Sequence, residues 1–143
     1  MRRFVVFGAA ALWAAPVFAA HELEGRDTAA GRALYAEHCA ACHGAKLEGQ
    51  PDWQSPGPDG RLPAPPHDAS GHTWHHDNQL LFDYTWLGGA GALEARGISN
   101  FDSGMPGFEG VLSSEQIWDV LAYIASTWPD RIQSIQKQRN PPH

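Results

Sequence analysis

The stretch Cys39-Ala40-Ala41-Cys42-His43 decides the reading of this chain. Two cysteines at i and i+3 followed directly by histidine form the pattern of a c-type haem attachment site. Thiols three positions apart reach the two vinyl groups of one porphyrin and form thioethers, and the next residue brings an imidazole under the metal. These are the only two cysteines in 143 residues, so neither is left over. In an oxidising compartment such a pair could instead form a disulfide or a thiol oxidoreductase site. An oxidoreductase site calls for a surrounding βαβ pattern, which is not visible. A zinc knuckle calls for two further ligands at matching spacing, and there is no second cysteine pair. His43 directly after Cys42 favours haem over these uses.

Upstream of the motif, Arg2 and Arg3 precede an apolar run from Phe4 to Phe18, and Val17-Phe18-Ala19 ends it at cleavage-site spacing. That predicts a secretory signal peptide over residues 1–19, cut after Ala19 or Ala20, and export to the periplasm. The competing reading is an uncleaved membrane anchor, for which the run is short and rich in alanine. No other stretch is suited to cross a bilayer, so no membrane span is expected once the leader is gone. Residues 20–129 are then one domain and 130–143 a polar C-terminal helix or tail.

Without Arg2 and Arg3 the ten basic residues fall to eight against 16 acidic, a net charge of −8. Such a chain has no electrostatic case for nucleic acid or anionic lipid. A redox partner with a basic docking face suits it better; the bland alternative is that acidity only keeps a small secreted monomer in solution.

The periodicity predicts a mostly α domain with no credible strand pair. A first helix runs from Thr28 to Cys39 with Asp27 or Thr28 as cap, and Gly31, Tyr35 and Cys39 share one face. Residues 44–71 read as loop, with Pro51, Pro56, Pro58, Pro63, Pro65 and Pro66 and no apolar period. A structureless stretch of this length suggests a segment that wraps a cofactor. A second helix is expected from Asn78 to Leu87, capped by Asp77, striped by Leu80, Leu81, Tyr84 and Leu87, and ended by Gly88-Gly89. A flexible segment follows to Gly110. The last strong helix spans Ser114 to Trp128, with Ser113 and Gln116 as a capping box and Ile117, Val120, Leu121, Ile124 and Trp128 as its buried face. Pro129 stops it and can open a short polar helix over residues 130–139.

His43 offers one axial ligand, and a low-spin electron carrier needs a second from the opposite face. Met105, the only methionine besides Met1, sits in Ser103-Gly104-Met105-Pro106-Gly107-Phe108, directly ahead of the last long helix. A thioether favours Fe(II) and raises the potential. Pro106 biases Met105 toward extended backbone, and the flanking glycines let the chain turn over a ring. The alternative is ordinary core filling. His72, His75 and His76 stand at i, i+3 and i+4, a spacing that could gather copper or zinc, or simply mark a solvated helix entry.

With these features the chain resembles the class I cytochromes c. That family places the attachment motif at the end of an N-terminal helix, and its methionine comes from a loop before a C-terminal helix that crosses the first. Gly31, Tyr35 and Cys39 match its helix-contact pattern, and Val120 with Tyr123 matches the opposing helix. The similarity covers roughly residues 27–128. It implies an all-α cytochrome c fold, with helices and long loops wrapped around one covalently bound haem c. It implies thioethers at Cys39 and Cys42 and axial ligation by His43 and Met105. It also implies a proline carbonyl that accepts the proton of the haem histidine, for which Pro65 or Pro66 is the candidate, in a loop whose length departs from that of the familiar small cytochromes. His72 and Trp74 are candidates for contacts to the haem propionates, as a tryptophan makes in related cytochromes; one of the clustered histidines replacing Met105 on iron is a further alternative.

The expected function is periplasmic electron transfer between redox partner proteins in a respiratory or oxidative pathway, not catalysis, because a filled sixth position leaves no open site at iron. One alternative is a haem subunit of a membrane oxidase or secreted dehydrogenase. Another is a gas or peroxide sensor or catalyst with a labile methionine, and a more distant one is a metal chaperone using the histidine cluster.

Overall fold

Asp27 starts the first helix, α1 (Thr28–His38), by accepting the amides of Ala29 and Ala30 at 3.0 and 2.9 Å. Two of the donors that a helix start leaves open are thereby satisfied. The computed structural model describes residues 22–140, so the leader expected over residues 1–19 lies outside the described residues. One short turn, α2 (Ala40–His43), follows α1 with Cys39 as the joint. The chain then runs as turns and loop to a 3₁₀ turn at Thr73–His75. After it come α3 (Asn78–Glu94), α4 (Ser114–Ser126) and α5 (Asp130–Lys137). Among the described residues there is no strand, only an isolated bridge between Glu109 and Leu112. The all-α expectation holds.

The expected crossing of α1 and α4 is the main helix contact. It depends on Gly31, where an added Cβ would lie 2.0 Å from the Asp119 carbonyl oxygen and 3.1 Å from the Tyr123 Cβ. One turn on, Tyr35 is fully buried, its ring 5.6 Å from that of Tyr123, and its hydroxyl donates to the Gly44 carbonyl at 2.9 Å. A phenol buried this way satisfies its polar end while packing its ring. The predicted stripe of α4 is buried as a whole: Ile117, Val120, Leu121, Ile124 and, just past the helix, Trp128. Ser113 and Gln116 form the capping box in both directions. Two apolar clusters share this helix, one around Tyr35, Leu47, Val120 and Trp128, the other around Leu112, Ile117 and Leu121.

The second long helix departs from expectation. Asp77 caps it through the Leu80 amide at 2.7 Å, but Gly88-Gly89 does not end it. Gly88 takes φ 78° and breaks the ladder, after which the helix resumes to Glu94. The glycine pair acts as a kink because Ala92, beyond it, is again fully buried. Leu87, expected on the buried stripe, stands at the kink and is 42% exposed.

α5 lies against the domain. Gln136 is buried, donating through Nε2 to Asn78 Oδ1 at 2.7 Å and to the His76 carbonyl at 3.3 Å, while Ile132 packs on the Tyr35 cluster. Lys137 reaches Glu24 at 3.4 Å, joining this helix to the N-terminal segment.

Candidate functional site

α1 carries Cys39 to the rim of a cleft of about 480 Å³, and α2 places Ala41, Cys42 and His43 along it. The other walls come from residues 62–65 with His67, from His72 and His76, from Leu80, Leu81, Tyr84 and Thr85 of α3, from residues 101–106 with Phe108, and from Val120, Leu121 and Ile124 of α4. The volume falls in the range of cofactor sites, roughly 300–1,000 Å³, and the walls are mostly apolar. Cys39 and Cys42 are not joined to each other in a disulfide; Cys39 is half-buried and Cys42 exposed.

His43 is buried, and its Nδ1 lies 2.9 Å from the Pro65 carbonyl oxygen. A carbonyl only accepts, so Nδ1 carries the proton. Burial lowers the pKa of His43, while the bond to Pro65 raises it in part; the net direction is down. The ring is therefore neutral, with its lone pair on Nε2, the form that binds a metal. Between Pro65 and Pro66, the two candidates read from the sequence, the structure brings Pro65 to the imidazole.

Met105 lines the same cleft. Its loop is held by the kink in α3. Because Gly88 breaks the ladder, the carbonyls of Thr85 and Trp86 are free to accept the amides of Phe108 and Glu109 at 2.9 and 3.1 Å, and the Gly89 amide turns to the Met105 carbonyl at 3.2 Å. Ser103 Oγ accepts the Met105 amide at 3.2 Å. Farther out, Arg61 Nε pairs with Asp102 Oδ1 at 2.8 Å, linking the proline-rich loop to the methionine loop.

His72 and Trp74 part ways. His72 lines the cleft and stacks on Trp53, centroids 5.1 Å apart and planes 9° off parallel. Its Nδ1 is buried without a hydrogen-bond partner. Trp74 does not line the cleft: it packs beside the Tyr35 cluster and stacks on His75 at 3.7 Å. Its Nε1, like His72 Nδ1, is buried without a hydrogen-bond partner among the described residues. Of the three clustered histidines, His72 and His76 meet edge to face with centroids 5.2 Å apart, while His75 stacks on Trp74. Among the described residues no group of three or more His, Cys, Asp or Glu side chains is arranged to hold a metal ion.

Two residues of the site have no role in the sequence reading. His67 stacks on His43, and Trp53 covers His72. Pro65-Pro66-His67 carried the one available signal, a histidine two positions after the candidate proline.

The profile of the family described as Cytochrome c matches residues 28–128. The chain belongs to the cytochrome c family. No curated protein and no solved structure matches it. As a class I c-type cytochrome it binds covalently attached haem c, for which Cys39, Cys42 and His43 supply the Cys-x-x-Cys-His motif, and it serves haem-based electron transfer with redox partner proteins. The cleft fits that group: His43, protonated at Nδ1, presents Nε2, Cys39 and Cys42 stand beside it outside any disulfide, and the His72 Nδ1 on its wall is buried without a protein partner. In this cytochrome no helix among the described residues is long and apolar enough to cross a membrane.

Proposed function

We propose that this cytochrome is a periplasmic, monomeric electron carrier whose iron is held by His43 and Met105, with thioethers at Cys39 and Cys42. The observation that carries the reading is that His43, its Nδ1 engaged by Pro65, and Met105, its backbone pinned to the kink of α3, line one cleft. Bound haem supplies a one-electron Fe(III)/Fe(II) couple and raised potential when one axial ligand is a thioether. The protein's part is to hold that couple with little rearrangement. Pro65 strengthens His43 as a donor by accepting the hydrogen bond of its Nδ1–H. The α3 carbonyls and Ser103 hold the Met105 loop in place, and the apolar walls exclude water. His72 offers a ring nitrogen to a propionate.

A sixth ligand closes the iron to substrates, so the reading is a carrier and not an enzyme. The excess of acidic residues suits a partner with a basic docking face. The Arg2-Arg3 pair and the apolar run from Phe4 to Phe18 support export to the periplasm.

The test is the absorption spectrum of the mature holoprotein, ferric and ferrous, with and without carbon monoxide. A low-spin spectrum with the ferric sulfur-to-iron band, unchanged by carbon monoxide and lost in Met105→Ala, is expected. High-spin features or ready carbon monoxide binding by the native protein would overturn the ligand set and point to sensing or catalysis at an open iron.

A further inference from the structure

His67 stands two residues after Pro65, and its imidazole lies face to face with that of His43. The ring centroids are 4.0 Å apart and the planes 24° from parallel. The His67 ring is itself held. Its Nδ1 lies 2.8 Å from Thr73 Oγ1, and Thr73 Oγ1 lies 3.4 Å from the Pro66 carbonyl. Since the carbonyl only accepts, the Thr73 hydroxyl donates to it and accepts from His67 Nδ1–H. Its backbone is fixed at both polar ends: the amide donates to the Leu47 carbonyl at 2.8 Å, and the carbonyl accepts Trp128 Nε1 at 2.7 Å. A ring restrained by the loop, the 3₁₀ turn and the end of α4 has little freedom left.

A histidine ring can turn about its Cβ–Cγ bond and about its bond to a metal. The Pro65 carbonyl restrains the edge of His43 but leaves the ring free to rock about that hydrogen bond. A flat ring against its face removes the rocking motion. Thus one segment, Pro65-Pro66-His67, constrains His43 twice, once through a backbone acceptor and once through a side chain. We infer that His67 is a positioning residue that sets the plane of the His43 imidazole. This rests on the reading of His43 as an axial ligand. The competing description is a histidine that merely fills space between Tyr35, 6.2 Å away edge-on, and the cleft wall.

The two differ in what they do to a spectroscopic signature. The plane of an axial imidazole orients the in-plane magnetic axes of a low-spin ferric haem, so it governs the order and spread of the four haem methyl proton resonances. A residue that only fills space changes stability without moving them. The experiment compares native holoprotein with His67→Ala, His67→Phe and Thr73→Val, by proton NMR of the ferric state and by redox titration, with circular dichroism to establish folding. His67→Ala is expected to reorder or compress the methyl resonances and to shift the reduction potential. His67→Phe, which restores a flat ring, is expected to return the pattern toward native. Thr73→Val, which frees the His67 ring while leaving it in place, is expected to change the pattern less than His67→Ala. If His67→Ala does not fold, a native-like methyl pattern and potential in both His67→Phe and Thr73→Val would overturn the proposal, and a shift in Thr73→Val with recovery in His67→Phe would support it. Native patterns in all folded variants, with a low-spin native protein, overturn the role of His67 alone. A native protein that is not low-spin instead removes the ligation reading itself.

Discussion

Gly31 shows how much one missing side chain decides. An added Cβ would meet the backbone of Asp119 at 2.0 Å, and backbone inside a helix cannot yield as the tip of a long side chain can. Gly31→Ala is therefore expected to force α1 and α4 apart and to lower stability by roughly 1–3 kcal/mol, the ordinary range for overpacking. Denaturant unfolding of the holoprotein checks it; a change near zero would mean that the crossing is looser than this contact implies. Glycine, aromatic and cysteine at four-residue spacing made this contact legible in the chain, because α1 is regular and its period is local. Pro65 was only half legible. The need for a carbonyl acceptor was foreseen, but which of two adjacent prolines meets His43 depends on how a loop 22 residues long closes. His67 carried only its place two positions after the candidate proline, since a stacking partner leaves no spacing rule.

Among the elements, α4 was read nearly whole and α3 was not. The capping box and the buried positions Ile117, Val120, Leu121 and Ile124 of α4 follow from short-range hydrogen bonding and a 3.6-residue period. Ser113→Ala removes the acceptor of the Gln116 amide at 3.2 Å. It is expected to cost about 1 kcal/mol, and a thermal midpoint lowered by a few degrees would record it. In α3, Gly88-Gly89 reads in the sequence as a helix end, and the local signal is the same for an end and a kink. What distinguishes them is the partner: the methionine loop supplies donors to the carbonyls that the kink releases. Gly88 has φ 78°, and an added Cβ would lie 2.7 Å from the Gly107 nitrogen and 2.9 Å from the Met105 carbonyl oxygen. Gly88→Ala is thus expected to displace the methionine loop. Under the proposed ligation the ferric sulfur-to-iron band weakens or disappears at room temperature while the helical circular dichroism persists. Retention of the full band would show that the loop does not depend on this approach.

For the molecule as a whole, the histidine-rich side of the cleft ties folding to pH. His76 is half-buried, and burial first, then the charges of His72, His75 and Arg139, lower its pKa against the opposing pull of Asp77. The folded state therefore binds that proton less readily than the unfolded chain does. The contribution is fully present above the unfolded value of 6.5 and declines as pH falls below it toward the lower folded value. His76→Gln is expected to flatten the loss of stability between pH 7.5 and pH 5.5, as followed by denaturant midpoints, and an unchanged slope would place the effect elsewhere. The same region anchors the C-terminus, where the buried Gln136 side chain bonds Asn78 and the His76 carbonyl. A polar composition alone did not distinguish a docked helix from a frayed end.

Local chemistry carried by the chain suffices for the attachment motif, the caps, the helical stripes and the methionine between glycine and proline, and with them the all-α cytochrome c class. Each rests on atoms a few bonds or one helical turn apart. The choice of Pro65 over Pro66, the stacking of His67 on His43, the packing of Trp74 on the Tyr35 cluster and the passage of α3 through its glycine kink arise only in the folded molecule. They are contacts between segments far apart in sequence, chosen by loop closure and by competition for the same buried space, and no period along the chain encodes either.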